Sequence, residues 1–375
     1  MNFFEKRQIN TGSLMAIGCD GTNVNTGAVG GVIRLLEEEL GHALQWFVCL
    51  LHCNELPLRH LIQKLDGVTH GPKGYSGVIG KAIQTCEELP VVKYNPITFA
   101  NRPCLDGVDL STDQQYLYDI CLAVSSGECG ADLAERRPGP VVHSRWLTTA
   151  NRLLRLYIST DGPSANLIVL ATYVVNVYAP IWFNIKTGSS CAEGSRHLWN
   201  MIKLSRYLDP EYRDLVDSVI QRNGYYGHSE NIILAMLTDD RENIRELAYR
   251  RIIAARKENA DSTTIRQFRV PVLNFAADDY IHLVEWQSID RCEPPLTKYL
   301  TDSELQVFVQ NRAFEKINLP AFPCHTQATE RCIRLVTQAS AAVCGVERRD
   351  GFIHARLKSR KIMKRFNTKS EYRLS

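Results

Sequence analysis

Apolar and polar positions alternate between two periods in the first third of the chain. Residues 13–19 form a short apolar run that reads as a buried strand, ending at Asp20. Val29, Val32, Ile33, Leu36 and Leu40 then repeat at helical spacing, and Glu37, Glu38 and Glu39 are expected to face mostly outward. Leu44 to Cys49 reads as a second strand. Leu58, Leu61, Ile62 and Leu65 form another helical stripe, with Asn54 expected as its cap and Pro57 in its first turn. Strand, helix, strand, helix is the grammar of an α/β unit with a parallel pair.

From His70 to Pro140 glycine and proline are frequent and the period is weak, which predicts loops and short helices. From Arg145 to about Lys257 the pattern is mostly helical. Asp239 or Asp240 is expected to cap a helix carrying Ile244, Leu247, Ala248 and Ile252, with Arg and Glu alternating on its outer face. Residues 267–275 look extended, but Pro271 points to an edge or a loop. Residues 327–342 look helical. The most apolar stretch, Leu167 to Phe183, is interrupted by Asn176 and Pro180 and reads as a buried helix, so no membrane partner is expected. The fold class expected is α/β plus all-α.

Composition changes this picture little. The chain has 375 residues, 45% of them hydrophobic and 23% charged, with formal charge +3. That is ordinary for a folded protein and unlike disorder. The positive charge gathers in the tail, 356–375, where Lys361, Lys364 and Arg365 suit phosphate contact or nuclear import. Twelve cysteines without a Cys-x-x-Cys pair, and no apolar secretory segment at Met1, predict reduced thiols in a nuclear or cytoplasmic, not secreted, protein.

Two residues suit metal-assisted phosphoryl transfer, which needs carboxylates converging on divalent ions. Asp20 ends a strand before a glycine-bearing turn, and it could equally cap that turn. Glu330 stands in the first turn of its helix, away from the apolar side. Cys49 and His52 resemble half a zinc site, but they lack a second ligand pair and read as a structural thiol and imidazole joining a strand end to the next helix. Arg145 and Trp146 combine a cation with a large ring, a pair able to grip phosphate and stack on an unpaired base, although a Trp that starts a helix is more often part of the core. Asp278 and Asp279 read as a solvated turn.

In this order the blocks resemble hAT-type transposases, whose catalytic domain is RNase H-like. Cys19-Asp20-Gly21-Thr22-Asn23-Val24-Asn25 looks like the segment holding that family's second catalytic Asp, after the fourth strand. Phe47 to Leu56 looks like its next strand and Cys-x-x-His block, and Ser144-Arg145-Trp146 like the Arg-Trp block of its helical insertion. Thr326 to Arg331 looks like the block with the final catalytic Glu, here Glu330. The resemblance implies a partial RNase H-like core with a large helical insertion. Its parts would be an amino-terminal remnant (1–13), the core (14–66), the insertion (67–319), a return helix (320–355) and a basic tail (356–375). It also implies DNA as a partner, homo-oligomers, and Mg²⁺ or Mn²⁺ at Asp20 and Glu330 if the chain is active. The family's first catalytic Asp belongs upstream of Asp20, where only 19 residues stand and no zinc finger is present. The expectation is therefore a transposase-derived chain inactive in strand transfer that keeps DNA association. Two alternatives stay open: an active enzyme recruiting Asp66, Asp106 or Asp278 as third carboxylate, and a non-catalytic helical interaction protein.

Overall fold

Two short parallel strands seed the structure. In this computed structural model the described residues are 10–70, 74–108, 110–141, 146–258 and 268–311, with Cys324 and Gly345. The chain divides into two units, Met1–His325 and Thr326–Ser375, and all the described helices and strands belong to the first. The architecture is mostly helical, about 60% helix and 4% strand.

Strands β1 (Ala16–Cys19) and β2 (Gln45–Val48) pair in parallel, from Ala16 opposite Gln45 to Cys19 opposite Val48. A parallel pair needs a crossover. Here it is α1 (Asn23–Thr26) and α2 (Val32–Leu40), and Gly41 at φ 72° closes α2 in the left-handed region that favours glycine. Leu36 and Leu40 of the expected stripe are half-buried and Glu38 and Glu39 exposed, as expected, but the buried face is shifted toward Glu37. Ile33 and Glu37 are buried, whereas Val29 and Val32 are exposed. The reason is local. The Leu44 N–H and the Trp46 indole N–H both need an acceptor, and Glu37 Oε1 takes each at 2.9 Å.

Helix α3 (Leu50–Asp66) leaves β2 directly, with Cys49 at its N-cap. Asn54 is therefore not a cap. It is fully buried, and its Nδ2 donates to the Tyr178 carbonyl at 3.0 Å. Pro57 lies inside the helix rather than in its first turn. A small antiparallel pair follows, β3 (Thr69–His70) with β4 (Gly74–Tyr75), and then α4 (Val78–Ala82).

The region expected as loops contains a full helix, α5 (Thr112–Ser126). Ser111 and Gln114 form its capping box and Gly127, at φ 77°, its close. After α6 (Ala131–Glu135) comes α7 (Trp146–Tyr157), every residue of which is buried. Helix α8 (Ala165–Tyr173) continues through a π-turn (Val174–Tyr178) into α9 (Ala179–Thr187), with the Ala179 N–H reaching the Val174 carbonyl. Pro180, which has no N–H to give the ladder, sits just beyond the wide turn. By length and composition Ala165–Thr187 could cross a bilayer, yet 72% of its most apolar window is buried inside the protein. It is the central helix of the body, as expected for 167–183.

The remaining helices are α10 (Gly194–Leu204), α11 (Pro210–Asn223), α12 (Ser229–Leu237), α13 (Glu242–Glu258) and α14 (Asp302–Asn311). Asp239 accepts the Arg241 N–H just before α13, and Ile244, Ala248 and Ile252 are buried as the period predicts. Arg245 departs from the expected outer face. It is buried and donates to the carbonyls of Asp239, Asp240 and Val309. Residues 268–275 form a loop without strand pairing among the described residues, in keeping with Pro271.

One apolar core runs from Phe47 in β2 through α3 to Phe308 in α14. No boundary near residue 66 divides it, so the expected core (14–66) and insertion (67–319) share one interior. Trp46 lies on the other side of β2, stacked on Phe268 with ring centroids 4.3 Å apart. The expected helix over 327–342, with Glu330, lies outside the described residues.

Candidate functional site

The carboxyl ends of β1 and β2 open side by side, the position where parallel α/β units hold ligands. Asp20 follows β1 directly. Its Oδ1 accepts three bonds: from the Thr22 N–H at 3.1 Å, the Thr22 hydroxyl at 2.7 Å and the Asn25 amide at 2.7 Å. Those donors arise because the chain turns sharply after the strand into α1. None of them falls on Oδ2. Partial burial works against the Asp20 charge, but the bonds from Thr22 and Asn25 and the nearby His52 outweigh it and hold the carboxyl below its ordinary pKa.

His52 lies in the first turn of α3, on the neighbouring strand's exit. A Cβ placed on Gly21 would meet His52 Cδ2 at 3.3 Å, so the missing side chain lets the imidazole sit against the turn. Burial lowers the His52 pKa; the charge on Asp20 raises it and that on Arg59 lowers it further. Cys49 is buried and its N–H bonds the Cys19 carbonyl at 2.8 Å, which ties the two strand ends together. Cys19 and Cys53 are pushed up to about 12, mainly by burial, so both thiols are protonated at neutral pH. The described cysteines are all free thiols.

One turn beyond His52 is Glu55, which the sequence pattern did not single out. Burial alone lifts its carboxyl to about 8. Its signal was available in principle, as an acid at i+3 from His52 on a helix with an apolar opposite face.

The chemistry at this edge is one ionised carboxylate and one imidazole. Among the described residues no group of three or more His, Cys, Asp or Glu is arranged to hold a metal ion. One Asp20 oxygen is already taken up by protein donors, and a Mg²⁺ pair needs several hard oxygens. The described side chains therefore do not fit such a centre. The candidate substitutes for a third carboxylate are engaged elsewhere. Asp66 caps α4 through the N–H groups of Ile79 and Gly80 at 2.8 and 2.6 Å. Asp106 accepts the exposed Cys104 thiol, and Asp278 pairs with His282 in an exposed turn.

Trp146 is 5% exposed and belongs to the main core at the start of α7. That burial accords with the core reading of a Trp that starts a helix. Arg145, Glu330, Lys361, Lys364 and Arg365 lie outside the described residues. Comparison with protein-family models, curated proteins and solved structures finds no match.

Proposed function

We propose that this chain is a transposase-derived protein of hAT type that does not cleave DNA and keeps an association with it through the basic tail 356–375. One observation carries the reading: Asp20 ends the first strand of a parallel strand–helix–strand unit, in the order the resemblance requires, and a large helical body follows. A partial RNase H-like core is the fold reading that goes with it. Loss of cleavage is supported by the lack, among the described residues, of any group of three or more His, Cys, Asp or Glu placed to hold a metal ion.

The test is Mg²⁺- or Mn²⁺-dependent nicking of a transposon-end duplex by the wild-type protein and Asp20→Asn. The expected result is no cleavage above background in either. Robust nicking lost in Asp20→Asn overturns the inactive reading. Duplex binding should weaken steeply with salt, because Lys and Arg contacts release counterions, and should fall when 356–375 is removed. A second reading, a helical interaction protein that never meets DNA, is favoured by the enclosed Trp146 ring. Absence of any salt-sensitive binding selects it.

A further inference from the structure

Away from the strand ends, a cavity of about 590 Å³ opens beside the π-turn. Its size lies within the roughly 300–1,000 Å³ of small-molecule sites. Its walls come from three separate parts of the chain. Asn176, from the π-turn, and Thr172, one turn earlier, line one side. Asn176 is only half-buried although Val174, Val175, Val177 and Tyr178 around it are fully buried. The end of α10 and the turn after it give Lys203 and Tyr207, and the loop before α5 gives Thr98 and Asn101. Ile97 and Leu204 add apolar surface.

Thr98, Asn101, Lys203 and Tyr207 are exposed, and Thr172 and Asn176 are half-buried. None of the six makes a side-chain hydrogen bond or ion pair among the described residues, and the Lys203 Nζ lies 4.9 Å from the centroid of the Trp199 ring. The lining holds one cation and no carboxylate. Two amides each present a donor and an acceptor side by side, which is the pattern that matches a heteroaromatic edge. A half-exposed tyrosine supplies a stacking face. A lysine supplies a point charge for phosphate.

We infer that this cavity binds a nucleotide: the base lies against Tyr207 with its edge at Asn101 and Asn176, and the phosphate is held by Lys203. The inference is independent of the transposase reading, since it uses no residue of the strand ends or of the tail. The π-turn is part of the device. It widens the helix by one residue where Asn176 must leave the core and face the cavity, a common use of such turns.

Isothermal titration and NMR shift mapping on the full chain test it, with adenosine monophosphate, adenosine and ribose 5-phosphate as probes. The nucleotide should bind about tenfold more tightly than adenosine, the difference expected of one charge-assisted contact. Lys203→Glu should remove that advantage and leave adenosine binding in place. Asn176→Leu and Tyr207→Ala should weaken both ligands, with thermal melts confirming that each variant is folded. Competition by a 5′-phosphorylated oligonucleotide assigns the natural source to a nucleic-acid end, and failure to compete assigns it to a free nucleotide. No binding at millimolar nucleotide overturns the proposal. So does ribose 5-phosphate binding as well as the nucleotide, or an unchanged affinity in Lys203→Glu.

Discussion

At Glu37 a single carboxylate oxygen takes two buried donors, the Leu44 N–H and the Trp46 indole. Both lie on the approach to β2, so this one side chain fixes how the second strand enters. Glu37→Ala leaves both donors buried without a partner, at a cost of about 3 kcal/mol, to be read from urea unfolding. Glu55 is a different case, because its charge rather than its bonds is at issue. Its folded pKa of about 8 stands above the ordinary value of 4.5. The stability it permits is therefore whole below pH 4.5 and is lost as pH rises toward 8, since the unfolded chain ionises freely and the folded one does not. Glu55→Gln should flatten the fall in stability between about pH 5 and about pH 8. At the strand ends, Asp20 raises the pKa of His52 against the pull of burial and Arg59. Asp20→Asn should lower it further, visible as a downward shift of the His52 ring-proton titration. A titration that moves upward or stays fixed contradicts the pairing.

Helices in this chain are held less by propensity than by side chains that reach other segments. Arg152 on α7 is the clearest example. It donates to the carbonyls of Gly139 and Ile83 at 2.7 and 2.6 Å and grips both Glu87 oxygens at 2.7 Å. It is 5% exposed and also donates to the Gln84 carbonyl at 3.2 Å, so Arg152→Met would free three carbonyls and strand Glu87. The expected loss is about 3 kcal/mol, seen as a lower melting temperature, and near-neutrality would mean the methionine packs as well as the network. The same elements show what a sequence pattern can carry. The strand–helix–strand–helix order from 13 to 66 was legible because short apolar runs and 3.6-period stripes alternate there. Helix α5 was missed, because the glycines and prolines on either side hid the Ser111–Gln114 capping box and Gly127 that bound it. The shift of α2's buried face toward Glu37 was not legible, because three consecutive glutamates fit either face and only the Trp46 indole chooses. Asp20 could be read from the end of an apolar run. Its pairing with His52 could not, since it depends on how closely Gly21 lets α3 approach. The packing role of Trp146 was open to the sequence, because a large aromatic at a helix start more often serves a core than a binding face.

Ties that span much of the sequence make the described residues of the first unit behave as one body. The β2 side chain Gln45 donates to Asn231 at 2.8 Å, Asn54 to the Tyr178 carbonyl at 3.0 Å, and the Tyr225 hydroxyl to Thr26 at 2.8 Å. Helix α3 packs against α8, the π-turn, α9, α10 and α11 at once. Phe47, Leu50, Leu51, Leu58, Leu61 and Ile62 are each at most 4% exposed, and they all point into that shared interior. Full burial of such a side chain contributes about 1.5–3 kcal/mol, so losing most of it at these positions removes about 10 kcal/mol. That is comparable to the whole net stability of an ordinary domain, about 5–15 kcal/mol. A piece containing residues 10–70 alone keeps both strands and α3 but loses the surfaces they lie on. It should therefore show the circular dichroism and narrow amide dispersion of an unfolded chain, while the full chain melts cooperatively. A dispersed spectrum and a cooperative melt from the piece would mean that the α/β unit is a domain in its own right, with the helical body attached to it rather than built around it.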